Sequence, residues 1–148
     1  MTGVIVFLNS TPIVKWICKK QNTVETSTYG AELVAGRLAA KVILEFRYKL
    51  RMLGVPVENN SVMLGDNMSL IQNCSLPSSQ LKKKHYAIAY HRLREFVACG
   101  IIKLGHVRSE QNYADLCTKA LTGPKLHSIE GSNLQVIGFR GVSEWNTE

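Results

Sequence analysis

Aspartate is the scarcest charged residue in this 148-residue sequence: Asp66 and Asp115 are the only two, and all acids together number 11 against 18 lysines and arginines. So large a basic excess favours a polyanionic partner, nucleic acid or a membrane surface. Also missing is any apolar run near the roughly 20 residues that cross a bilayer. The opening MTGVIVFLNSTP has neither the basic stretch nor the long apolar segment of a secretory leader. Cys18, Cys74, Cys99 and Cys117 are scattered and form no Cys-x-x-Cys pair. That pattern argues against a zinc site or disulfide framework and for a reducing cytoplasmic or nuclear compartment. No internal repeat is visible. What is present is a mixed pattern, 45% hydrophobic, of a length that suits one domain with one core.

Two β-branched and aromatic runs, VIVFL (4–8) and PIVKWIC (12–18), read as a hairpin. Ser27 or Thr28 is placed to cap a long helix reaching Leu53, stopped by Gly54 and Pro56. Residues 62–65 read as a short buried strand, followed by a helix over 68–74. A second long helix is expected over 81–99, with Gly100 as its stop. On it Ala89, Leu93, Phe96 and Val97 share one face, and Lys84, His91 and Arg94 the opposite one. A strand over 101–107 and a short amphipathic helix over 110–121 follow. Beyond about residue 130 the chain shows no period and reads as a loose tail. This order of elements points to a mixed α/β domain.

Three acids fall where elements begin or end. Glu32 lies in the first turns of the long helix, Asp66 ends the strand in SVMLGDN, and Asp115 lies in NYADL. In open α/β sheets ligands gather beyond the carboxyl ends of strands, which puts Asp66 in a functional location. Carboxylates drawn together need a compensating cation, and hard oxygen donors suit Mg²⁺ or Mn²⁺. In a basic chain such a cluster points to phosphodiester hydrolysis. A plainer set of roles competes on spacing alone: Glu32 as a helix-dipole partner, Asp66 as an N-cap and Asp115 as a surface charge.

Taken in order, STYGAELVAGRLAAK, LGDNMSLI, KKKHYAIAYHRLRE and ADLCTKAL resemble the ribonuclease H domain of copia-type retrotransposon polyproteins. The matching positions are Ala31-Glu32, Asp66-Asn67, Lys84-His85 with Tyr90-His91, and Ala114-Asp115 through Thr118-Lys119 and Leu121. The opening TGVIVFLNSTPIVKWICKKQ is similar to the second and third strands of that domain. The resemblance covers about residues 2–129. It implies a ribonuclease H-like mixed sheet with flanking helices over residues 1–129, and an unmatched tail over 130–148. It further implies hydrolysis of the RNA strand of an RNA–DNA hybrid by two Mg²⁺ or Mn²⁺ ions, with no small-molecule cofactor. Glu32, Asp66 and Asp115 would be the second, third and fourth metal-binding and catalytic carboxylates. The family's first carboxylate is an aspartate on a central first strand, and residues 1–27 contain no aspartate. The expectation is therefore a domain incomplete at its amino end, lacking that central strand and with little or no nuclease activity in isolation. By the same resemblance the parent polyprotein supplies a reverse transcriptase partner, in an intracellular setting or a virus-like particle.

Lys82, Lys83, Lys84, Arg92 and Arg94 crowd the second long helix. Together with His91 they are the candidate contacts to hybrid phosphates, the alternative being a solvated helix face. Lys15, Lys19 and Lys20 read as solubilising charges on an edge strand. Asn67 is a candidate helix cap or nucleic-acid contact, and His106 a minor candidate for acid–base work. Two other classes compete with the enzyme: a non-catalytic basic nucleic-acid-binding module, and a decayed transposon remnant.

Overall fold

A computed structural model of the chain describes residues 1–8, 13–21, 27–78, 86–118 and 137–141. The two opening runs pair as antiparallel strands, β1 (Thr2–Phe7) and β2 (Ile13–Lys19), from Thr2↔Lys19 to Phe7↔Ile13, with an irregularity between Val6 and Phe7. Alternation then assigns the faces of β1. Val4 and Val6 enter the main core, while Phe7 meets Tyr113 edge-on, ring centroids 5.6 Å apart. On β2, Lys15 lies 3.7 Å from Glu45, a half-exposed ion pair worth little by itself.

Helix α1 (Thr28–Met52) starts as its sequence leads one to expect. Ser27 is extended, and its hydroxyl accepts a hydrogen bond from the Gly30 amide at 3.2 Å. The helix ends at Leu53, and Gly54 takes a left-handed φ of 75° that a side chain would resist. Its buried face is built of small residues, Ala31, Ala35, Gly36, Ala39 and Ala40, interleaved with Leu33 and Ile43. Small side chains let the helix backbone lie close on the sheet. Arg47 on the same helix is also buried. It donates to the carbonyls of Asn59 (2.6 Å) and Val57 (3.4 Å) and to the Ser61 hydroxyl (3.1 Å), fixing the return of the chain into the next strand.

That strand, β3 (Ser61–Gly65), is followed by α2 (Met68–Ser75), α3 (Ala87–Ala98) and β4 (Ile102–His106). Asn67 caps α2, its side-chain oxygen accepting from the Leu70 amide at 3.1 Å. Helix α3 buries Ala89, Tyr90, Leu93 and Phe96 and ends before Gly100, φ 65°. The helix expected over 81–99 is thus described from Ala87 onward; residues 81–85, with Lys82, Lys83 and Lys84, lie outside the described residues. The helix expected over 110–121 is, as far as Thr118, instead a pair of 3₁₀ segments, Ser109–Gln111 and Tyr113–Cys117; residues 119–121 lie outside the described residues. Asn112 divides them. Its backbone is extended, and its side chain accepts from the Ala114 amide at 3.2 Å, a local turn that competes with a continuous helix.

The final strand, β5 (Ile137–Gly141), corrects two expectations. It lies in the stretch read as a loose tail, and it occupies the middle of a five-stranded sheet ordered β2-β1-β5-β3-β4. It runs antiparallel to β1, from Thr2↔Gly141 to Ile5↔Gly138, and parallel to β3, with Met63↔Ile137 and Leu64↔Gly138. The place between β1 and β3, expected to stand vacant, is filled. Two facing edges of unpaired amides and carbonyls are costly, and a strand from later in the chain satisfies both. Its sequence, IGFRG, is short and carries two glycines, so no strand pattern announces it. The chain is therefore a mixed α/β fold with α1 packed across β5, β1 and β3 and against α3.

Candidate functional site

The strand directions decide which end of the sheet carries the acids. β1 begins at Thr2 where β5 ends at Gly141, and β5 runs alongside β3 toward Gly65. Thr2, Gly141 and the Gly65–Asp66 junction therefore share one end. Asp66 is half-buried there, and its Oδ2 accepts a hydrogen bond from the Ser109 hydroxyl at 2.9 Å. The same end is tied across to β4 by the Val107 amide, which donates to the Gly65 carbonyl at 2.9 Å. Asn67, not Asp66, takes the capping role, so the plain alternative for Asp66 is not what the structure shows.

Glu32 reaches this end from α1. Gln21 donates from Nε2 both to the Thr2 hydroxyl and to the Ala31 carbonyl, each at 2.9 Å, and so fastens the first turn of α1 beside the start of β1. Glu32 follows at 4% exposure, too buried for a solvent-facing helix-dipole partner. Asp115 comes from the other face, on the second 3₁₀ segment. A side chain on Gly3 would meet the Ala114 carbonyl at 2.6 Å and the Cys117 Cβ at 2.9 Å, so only a glycine lets this segment lie on β1. The segment's own carbonyl contacts hold its turn: the Asp115 amide donates to the Asn112 carbonyl, and the Thr118 amide to the Asp115 carbonyl. Asp115 itself is wholly buried, which excludes the surface-charge reading. Glu32 Oε2 and Asp115 Oδ1 are buried and take no hydrogen bond, although both residues have other interactions.

Burying a carboxylate is expensive unless partners or a cation compensate. Three hard oxygen donors at one sheet end match the chemistry of Mg²⁺ or Mn²⁺. Among the described residues, however, no three His, Cys, Asp or Glu side chains stand close enough together to hold a metal ion. The structure thus brings the three acids to one end without closing them into a cage. The central strand adds no acid there: β5 reads IGFRG, with Arg140 at the register position opposite Gly3. A cavity of about 390 Å³, floored by Ile43, Phe46, Arg47 and Leu50, lies at the opposite end of the sheet near Phe7 and Val62, away from the acids.

The remaining candidates are distributed as follows. His106 is exposed at the end of β4, in register with Gly65 and therefore beside the Asp66 turn. His91 is exposed on α3, its ring edge-on to Tyr90. Arg92 pairs with Glu95 at 2.8 Å and lies 4.9 Å from the Phe96 ring. Arg94 donates to the Tyr90 hydroxyl (2.9 Å) and to the carbonyls of Pro77 (2.6 Å) and Leu76 (3.3 Å). It works as a brace between α3 and the end of α2. Sequence reasoning passed over the residues that support the acids: Gly3, Gln21, Ser109 and Asn112. Only Asn112 left a trace, as a turn-forming residue two places ahead of Ala114.

Among curated proteins, the retrovirus-related Pol polyprotein from transposon RE2 of Arabidopsis thaliana is 32% identical over 123 residues, 81% of this chain. That from transposon RE1 of the same plant is 33% identical over the same share. The corresponding polyprotein from transposon TNT 1-94 of Nicotiana tabacum is 28% identical over 108 residues, 73% of the chain. The chain spans only 8% of the length of each. No family model matches it, and no solved structure does. No described helix is long and apolar enough to cross a membrane. The copia-type resemblance read from the motifs thus holds at this level: the chain is related to the Pol polyproteins of retrotransposons.

Proposed function

We propose that the chain is a ribonuclease H-type domain directed at the RNA strand of RNA–DNA hybrids. In this reading Glu32, Asp66 and Asp115 are three carboxylates of a divalent-metal site, and the central strand Ile137–Gly141 supplies no fourth. The observation that carries it is the gathering at one sheet end of two buried acids and one half-buried acid, in a basic chain related to retrotransposon Pol polyproteins. Acids spent on solubility would lie outside; Glu32 and Asp115 lie inside, and Asp66 is half-buried at the end of β3.

Mg²⁺ or Mn²⁺ is the cofactor that suits this donor set, and bound there it would polarise the scissile phosphate and lower the pKa of water. The chain's own residues do the positioning. Ser109 orients the Asp66 carboxylate, Gln21 fixes the first turn of α1 beneath Glu32, and the Asn112 turn with Gly3 sets the depth of Asp115. His91 and Arg92 on α3, with Lys82, Lys83 and Lys84 just ahead of it in the sequence, are the basic residues proposed to hold a hybrid backbone, with affinity falling as salt rises. Arg94, engaged with two carbonyls and a hydroxyl, contributes mainly by keeping α3 in place.

The test uses the purified chain with a labelled RNA–DNA hybrid and duplex DNA of equal length and sequence, at several salt concentrations and with Mg²⁺. The hybrid is expected to bind severalfold more tightly than the duplex, with cleavage no faster than that of Glu32→Gln. Equal affinity for both duplexes, unaffected by salt, would remove the reading. Rapid Glu32-dependent cleavage would keep the domain assignment and overturn the claim that the site is one carboxylate short.

A further inference from the structure

We propose that Cys18 and Cys117 form a dithiol site that a low-molecular-weight disulfide such as oxidised glutathione closes into a reversible disulfide. The argument starts from Gly3. Cys18 stands directly opposite Gly3 in the β1–β2 ladder, and residues directly opposite in an antiparallel pair put their side chains on one face. The assignment is consistent along β2: Ile17 packs on the main core, so Cys18 turns to the other face, the one on which Phe7 meets Tyr113. Cys117 arrives on that same face, its Cβ 2.9 Å from where a Gly3 Cβ would stand. Opposed Cβ positions in such ladders are about 4.5–5.5 Å apart, and a disulfide needs Cβ atoms about 3.5–4.5 Å apart. The missing side chain of Gly3 therefore lets the segment carrying Cys117 press onto β1 at the position directly opposite Cys18.

The two sulfurs differ in a way that orders the chemistry. Cys18 is exposed, whereas Cys117 is half-buried, so a disulfide in solution reaches Cys18 first. Cys18, as thiolate, attacks one sulfur of oxidised glutathione and expels a glutathione thiolate. Cys117 then gives up its proton and attacks the Cys18 sulfur, breaking the mixed disulfide and releasing the second glutathione as thiol. Two protein thiols are oxidised and one glutathione disulfide is reduced to two thiols, so atoms and electrons balance. Closure ties the segment carrying Asp115 to the edge strand β2. A reducing compartment keeps the pair open.

The experiment treats the folded full-length chain with defined ratios of oxidised to reduced glutathione, traps remaining thiols by alkylation, and reads intact mass and linked peptides. The expected product is two hydrogen masses lighter, with the Cys18 and Cys117 peptides joined. Cys99, exposed at the end of α3, serves as an internal reference for simple glutathione adducts. In Cys117→Ser the Cys18 adduct should persist at least tenfold longer than in the unaltered chain. A Cys18 adduct equally durable in both proteins, or a link that forms only in denaturant, would overturn the proposal.

Discussion

Replacing Gly138 with proline is the sharpest perturbation of the fold, because Gly138 is in register with both neighbours of the central strand, Ile5 on β1 and Leu64 on β3. Proline removes one backbone donor and leaves its acceptor in the middle of the sheet, a loss of about 1–3 kcal/mol. It also restricts Ile137, the only other residue that β5 registers against β3. A total of roughly 2–4 kcal/mol follows, a large part of the 5–15 kcal/mol usual for a domain. At a urea slope of about 2 kcal/mol/M the midpoint should fall by about 1–2 M. The assay is urea unfolding followed by far-UV circular dichroism. Amide exchange provides a second reading: Val4, Ile5, Met63 and Leu64 should be protected in the unaltered chain and exchange faster in Gly138→Pro. An unchanged midpoint with unchanged protection would refute the placement of β5 in the sheet centre.

Three other outcomes follow from the same contacts. Arg47→Met keeps the apolar stem but strips the donor from the Asn59 carbonyl and one of two from the Val57 carbonyl, which Arg51 still reaches, and should destabilise by about 1–3 kcal/mol in the same urea assay. Burial pushes the Cys74 thiol up to about 12 against the opposing pull of Arg94. The folded form therefore resists ionisation, so the stability this thiol contributes is complete below pH 9 and is lost as pH rises from about 9 toward 12, at up to ~1.4 kcal/mol per pH unit. Cys74→Ala should flatten that alkaline slope in a urea series across pH. Changing Lys82, Lys83 and Lys84 together to alanine should weaken hybrid binding and reduce the magnitude of the log-affinity against log-salt slope by about 2–3; an unchanged slope would take that stretch out of the interface.

Elements with strong local signals were legible in the sequence. Ser27 before an alanine-rich run, Asn67 before an apolar turn, and Gly54 and Gly100 after helices each state their role through local chemistry, and each was found in it. The acids were legible as candidates because they sit at element ends inside recognisable motifs. Their depth was not, since the burial of Asp115 depends on Gly3, more than a hundred residues away in the chain. β5 was illegible for a related reason. IGFRG has little strand propensity of its own, and its conformation is imposed by two flanking strands with backbone groups to satisfy. The 3₁₀ segments show the opposite error: NYADLC has a helical pattern, but the Asn112 side chain captures the Ala114 amide and breaks the run.

The central claim, that Glu32, Asp66 and Asp115 act together on a divalent cation, is tested most directly by adding Mn²⁺ to isotope-labelled protein. The paramagnetic ion broadens amide signals within a short radius without any need for catalysis. Selective broadening at residues 31–33, 65–67 and 114–116, reversed by excess Mg²⁺ and abolished in Asp66→Asn, is the result expected. Broadening confined to exposed acids such as Glu58 and Glu95, or uniform across the chain, would contradict the account.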